Sequence, residues 1–190
     1  MVTLLKPSLP VMKISQLNRI TFVFACLMAG TLLADSPNTF RVSELTFTRP
    51  AGWEWVETTS SMRKAQLKVM DAKAKTSAEV IFFHFGPGGA GGTKANVDRW
   101  LSQFQEARDK INAKTEEVTV GSHKVTYVQA EGTYKSGMPG GPQTPMPDYA
   151  LAGAIIEAEQ GSVFVRMTGP KTLTKGSLAD FKKMVEGALK

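Results

Sequence analysis

The stretch Gly86-Pro87-Gly88-Gly89-Ala90-Gly91-Gly92-Thr93-Lys94 carries the strongest chemical suggestion in the chain, because it joins an apolar run to an amphipathic one. Gly86, Gly88 and Gly91 satisfy G-x-G-x-x-G, a pattern that brings backbone N–H groups against a phosphate at a helix start. A dinucleotide site then needs a parallel strand ending in an acid for the ribose. The next apolar segments here form a hairpin instead. A Walker loop fails as well, since Gly91 is followed by Gly92-Thr93-Lys94 rather than by Lys-Ser or Lys-Thr. What remains is a small anion, a carboxylate, phosphate or sulfate, held by Gly88, Gly89, Gly91, Gly92 and Thr93 at a helix N-terminus, with Lys94, Asn96 and Arg99 close by. The competing reading is conformational: the glycines let the chain turn at positive φ and pack closely on a sheet.

The remaining chemistry is sparse. His84 and His123 are the only histidines, and zinc takes three or four protein ligands at close spacing, so no metal site is expected. No G-x-S-x-G is present, and His84, inside the most apolar strand, reads as a hydrogen-bonded core residue rather than a base. Glu157 and Glu159 share a strand face about 7 Å apart, a separation that suits paired glycosidase carboxylates. They flank a turn, where solvated carboxylates are the rule. No catalytic residue and no cofactor is therefore assigned.

Two contact surfaces stand out. Asn96, Arg99 and Gln103, at i, i+3 and i+7, can share one helical face as a recognition surface or a solvated one. Lys135 to Asp148 reads as a long loop, stiffened by Pro139, Pro142, Pro145 and Pro147, with Met138 and Met146 offering adaptable apolar contact. It serves as a partner-contact loop or as an inert excursion.

The elements that position these residues follow from periodicity. Leu45–Phe47 and Trp53–Val56 are short strands around a turn at Pro50-Ala51-Gly52, and Arg63–Val69 alternates with Ala65, Leu67 and Val69 inward. Glu79–Phe85 is apolar on both faces, as in a central strand covered on both sides. Val97, Trp100, Leu101, Phe104, Ala107 and Ile111 recur at helical spacing, which predicts a helix from Lys94 to Asn112 with Thr93 as N-cap. Two hairpins follow, 118–134 and 149–168. A second amphipathic helix, 175–189, turns Leu178, Phe181, Met184, Val185 and Ala188 inward. The order ββββ-α-ββββ-α predicts an α+β domain, an antiparallel sheet built largely of hairpins and covered by two main helices.

The beginning of the chain bears on compartment. Lys13 and Arg19 precede an uncharged, mostly apolar run of 15 residues, Ile20 to Ala34, followed by Asp35, Ser36 and Pro37. That layout predicts a signal peptide over 1–34, with Met12 as a start of ordinary proportions, and a single exported domain over 35–190. The run is short for a membrane span, which needs about 20 residues. The one cysteine, Cys26, lies within it, so the exported chain has no disulfide. A lipid anchor there is not expected, because Phe24 is bulky and the preceding apolar stretch is short. Losing Lys6, Lys13 and Arg19 lowers the formal charge from +6 to +3, too mild an excess for a nucleic-acid binder.

Pro50-Ala51-Gly52-Trp53 after the first strand, with the element order and closing helix, resembles the PsbP/Mog1-like fold. More narrowly, Gly88-Gly89, Asn96-Val97-Asp98-Arg99-Trp100, Gln103-Phe104, Gly153-Ala154-Ile155-Ile156 and Thr168-Gly169-Pro170 are similar to a family of exported bacterial proteins of uncharacterised function. The resemblance spans 44–189. It implies a fold and proteins that act by docking; it supplies no catalytic residues, and fold alone does not fix function. Three expectations result: an exported (periplasmic or extracellular) non-catalytic module binding a protein or cell-envelope component, a small anionic-ligand binder at Gly86–Gly92, or a hydrolase without a familiar motif.

Overall fold

The computed structural model describes residues 36–137 and 141–190. The expected signal segment, its start at Met12, Cys26, Met138 and Pro139 lie outside the described residues.

Nine strands and three helices are described: β1 Thr39–Val42, β2 Leu45–Thr48, β3 Trp53–Trp55, β4 Arg63–Asp71, β5 Thr76–His84, α1 Thr93–Leu101, β6 Lys114–Val120, β7 His123–Gly137, β8 Gln143–Ile156, β9 Val163–Pro170, α2 Lys171–Gly176 and α3 Leu178–Gly187. Strands β3-β4-β5-β9-β8-β7-β6 form one seven-stranded sheet, and β1-β2 form a separate ribbon. Each pairing is antiparallel. The class is α+β, as expected. Five strands rather than four precede α1, however, because Thr39–Val42 is a strand too short to announce itself by alternation.

Period-two alternation sorts the side chains onto two faces. On one, Leu67, Val80, Phe82, Ala154, Val165 and Met167 are buried beneath β1-β2 and α3. Phe40 and Phe47 of the ribbon each approach Phe82 at 5.0 Å between ring centroids, edge-on, a geometry aromatic pairs favour. Helix α3 adds Phe181, Met184 and Val185, as its spacing predicts, while the expected single closing helix is divided into α2 and α3 around Ser177. On the other face, Val97, Trp100 and Leu101 of α1 pack with Phe104 and Ile111 on Val128, Leu151, Ile155 and Phe164.

The predicted helix Lys94–Asn112 is shorter in the structure. It ends at Leu101, and the chain turns to extend the sheet: Phe104 bridges to Tyr134, Gln105 N–H donates to Thr133 O at 2.8 Å, and Lys135 N–H to Gln103 O at 2.7 Å. Strand β6 pairs with β7 only as far as Gln129, so the open backbone beyond it captures this segment. Phe104 and Ile111 remain buried without helical geometry, whereas Ala107 is exposed. Thr93 is the first helical residue rather than the cap, which is Gly92.

The expected loop Lys135–Asp148 is also largely strand. Tyr134 pairs with Met146, Lys135 with Pro145 and Gly137 with Gln143, forming a hairpin arm. Strand β9 pairs with β8 only from Tyr149 onward, so this part of β8 has one neighbour. Pro145 can occupy it there because a missing N–H on the open side costs no ladder bond.

Candidate functional site

The Gly86–Gly92 segment turns back on itself through Gly89 N–H to Gly86 O at 3.2 Å and Gly91 N–H to Gly88 O at 3.5 Å. A Cβ on Gly89 would lie 2.2 Å from Phe85 O, so only glycine fits. Gly88 and Gly91 adopt positive φ, 70° and 73°, while Gly92 is extended. The conformational role of the glycines is thus met at Gly86, Gly88, Gly89 and Gly91 and not at Gly92.

Asn96 organises the segment. Only 2% exposed, it donates from Nδ2 to Ala90 O and Gly92 O at 3.0 Å and accepts at Oδ1 from Arg99. Lys94 turns elsewhere, pairing with Asp98 at 2.6 Å. The Lys94 ammonium and then Arg108 hold the Asp98 carboxyl below the usual carboxylate range. Thr93 Oγ1 donates to Glu157 Oε1 at 3.2 Å, which places a carboxylate of the chain itself at the start of α1. Of the residues singled out for an anion, the structure therefore gathers Gly89, Asn96 and Arg99 and leaves Lys94 outside.

The gathering point is a groove of about 440 Å³ between the glycine-rich segment, α1, the end of β5 and the hairpin arm. Its walls are Phe83, Phe85, Trp100 and Phe164, with Met62 and Ala90 at the rim. Phe85 and Met62 are 43% and 60% exposed, two of three large apolar side chains so placed among the described residues. Phe83 and Phe85 stack at 6.2 Å, and Trp100 meets Phe164 edge-on at 6.4 Å. Trp100 reaches the sheet because Gly153 has no side chain: a Cβ there would stand 2.2 Å from the indole.

Three guanidinium groups line the same groove, those of Arg63, Arg99 and Arg166. Arg63 donates to Gln66 Oε1 at 2.7 Å and pairs with Glu79 at 2.8 Å. Arg166 donates through Nη1 to Gln103 Oε1 at 3.0 Å, an atom that also accepts from the Tyr134 hydroxyl at 2.9 Å. The guanidinium carbon of Arg166 lies 5.9 Å from the Phe83 centroid. Its Nε is buried with no hydrogen-bond partner among the described residues, a state that costs roughly 1–3 kcal/mol. Burial raises the Tyr134 hydroxyl above its ordinary pKa, keeping it a neutral donor to Gln103.

Gln103 lies beyond the end of α1, so it does not share a continuous helical face with Asn96 and Arg99, yet all three reach the groove. From the hairpin arm, Gly137 lines it; Pro142 and Pro145 are exposed, and Met146 is half-buried against the α1-side core. Sequence reasoning overlooked Arg63, Phe85 and Arg166. The signal for Arg166 was present: it is the one charge in the apolar run Val163–Met167.

Both histidines hold the β8–β9 connection. His84 Nε2 lies 2.9 Å from Gln160 O and His123 Nδ1 lies 3.1 Å from Glu157 O. His84 closes β5 rather than sitting at its middle.

No family model matches the chain, and no curated protein matches it. Among solved structures it is similar to PA94 of Pseudomonas aeruginosa, a protein of unknown function described as a candidate regulator, at 11% identity over 78% of this chain and 92% of that one, with a TM-score of 0.40. It is also similar to the cyanobacterial PsbP of Synechocystis sp. PCC 6803, at 9% identity over 83% of this chain and 95% of that one, with a TM-score of 0.46.

Proposed function

We propose that the protein is an exported, non-catalytic module that binds a protein or cell-envelope component in the groove between α1, the glycine-rich segment and the hairpin arm. The observation that carries this reading is the exposure of Phe85 and Met62 beside a concave aromatic surface, since concave, mostly apolar sites with a few placed polar groups are where ligands bind. The polar groups of the groove favour binding over proton transfer. Arginine does not deprotonate in proteins, and Asn96 and Gln103 carry amides that do not titrate. Among the described residues, no helix is long and apolar enough to cross a membrane, which accords with a body released from its signal segment.

A photoreactive phenylalanine analogue at position 85, in the protein expressed in its native host, tests the reading. It is expected to form a discrete adduct in the exported fraction, while the same analogue at Met70, 39% exposed on β4, forms none. Equal labelling from both positions, or no adduct from position 85, overturns it. N-terminal sequencing of the exported material is expected to begin near Asp35.

A further inference from the structure

The groove is not uniformly apolar, and its charges are not balanced. Of its three guanidinium groups, Arg63 has Glu79. Arg99 and Arg166 form no ion pair with a described residue: Arg99 is held by the Asn96 amide, Arg166 by the Gln103 amide, and Arg166 Nε has no hydrogen-bond partner among the described residues. Two cations beside stacked aromatic rings, without a carboxylate from the described residues, are half of an interaction. Arg99 is exposed at the mouth, whereas Arg166 is half-buried, and a partly desolvated charge without its counter-ion is unfavourable unless something supplies that ion; guanidinium groups match carboxylates in shape and donor geometry.

The floor of the groove narrows the choice of ligand. Phe83 and Phe164 sit opposite each other on β5 and β9. Strand β5 is also paired with β4, and β9 with β8, so these strands present no free backbone edge. An extended peptide would lay some of its amide groups across Phe83 and Phe164, which offer no hydrogen-bond partner, and unpaired buried amides are costly. A hydrocarbon chain brings none. The volume of about 440 Å³ falls within the range for small ligands, roughly 300–1,000 Å³.

Building on the reading of this groove as the binding site, we infer that its ligand is a single-chain carboxylate amphiphile, with the carboxylate between Arg99 and Arg166 and the hydrocarbon chain over Phe83, Phe85, Phe164 and Trp100. This differs from an anion seated on the α1 N-terminus, where Glu157 already stands. The ligand is recognised by a charge at one end and apolar length at the other. A free anion satisfies the first requirement alone, and a neutral lipid the second alone.

Decanoate, 1-decanol and acetate are the probes, titrated below the decanoate micelle concentration against the purified full-length protein by calorimetry, with tryptophan emission, to which Trp53, Trp55 and Trp100 contribute, as a second signal. Decanoate is expected to bind one equivalent at micromolar concentration, decanol at least tenfold more weakly, and acetate not at all at millimolar concentration. Arg99→Gln, an exposed position whose change leaves the core intact, is expected to weaken decanoate at least tenfold and decanol less than twofold. Arg166→Lys keeps the charge while losing the fork, and is expected to weaken decanoate three- to tenfold. Equal binding of decanoate and decanol overturns the inference, as does unchanged affinity in Arg99→Gln. If decanoate fails to bind while the position-85 adduct persists, the carboxylate is refuted and the groove stands; if both are absent, both fall.

Discussion

The two faces of the seven-stranded sheet differ in how they are closed. One is sealed by the β1-β2 ribbon and α3, with Phe47, Phe82 and Phe181 inaccessible to solvent. The other is covered by α1 and the extended segment that follows it, which leave Phe85 and Met62 exposed and admit Arg63, Arg99 and Arg166. Aromatic residues are plentiful on both. The sealed face uses them for cohesion, where each buried ring adds about 1.5–3 kcal/mol; the open face buries Trp100, Phe104 and Phe164 as well but leaves Phe85 exposed and Phe83 half-buried. One sheet can therefore separate stability from recognition, because alternate residues of a strand answer to different neighbours.

That division is sharpest in paired truncations. Phe181→Ala on the sealed face is expected to cost about 3–5 kcal/mol of unfolding free energy in urea, with decanoate affinity unchanged in the fraction that remains folded. Phe85→Ala is expected to cost under about 1 kcal/mol while weakening decanoate severalfold. Equal stability losses would erase the distinction between the faces.

Gly153→Ala tests whether the open face is as closely fitted at its base as the sealed one. Its Cβ would stand 2.2 Å from Trp100, so the indole must lift; overpacking of this kind costs about 1–3 kcal/mol, and a shift of the protein's tryptophan emission is expected with it. Asn96→Ala leaves the Ala90 and Gly92 carbonyls without their donor. A loss of about 1–2 kcal/mol and faster proteolysis within 86–92 are expected.

The smallest effect concerns the segment after α1. Glu106 accepts from Thr133 N–H at 3.0 and 2.9 Å, and the hydrogen bonds from Thr133, its side chain first and its backbone second, hold the Glu106 carboxyl below its ordinary value. Its stabilisation is complete above the usual glutamate range, roughly 4.3, and is lost as pH falls through the folded value. Glu106→Gln is accordingly expected to lower stability slightly near neutral pH and to leave it unchanged well below the glutamate range, which flattens the acid limb of the stability profile. An unaltered acid limb would show that this contact contributes nothing to closing the open face.

The short strands around Gly52, the inward set Ala65, Leu67 and Val69, and the inward stripe of the closing helix were legible because each obeys a local period. The start of α1 was legible for the same reason. Its end was not: Phe104 and Ile111 continue a helical spacing that an extended chain on the same core also satisfies. The hairpin arm was obscured by its prolines and glycines, which signal a loop unless the open side of a strand is known.

Of the groove, Gly89, Asn96 and Arg99 were visible in the sequence because they stand close together along the chain, next to a helix start. Arg63 and Arg166 come from β4 and β9, more than a hundred residues apart in numbering, and β5 lies between them in the sheet. Local periodicity determines which residues face inward and which elements form. Strand order across the sheet alone decides which distant side chains share a cavity, because pairing is settled by long-range burial that no short window of sequence contains.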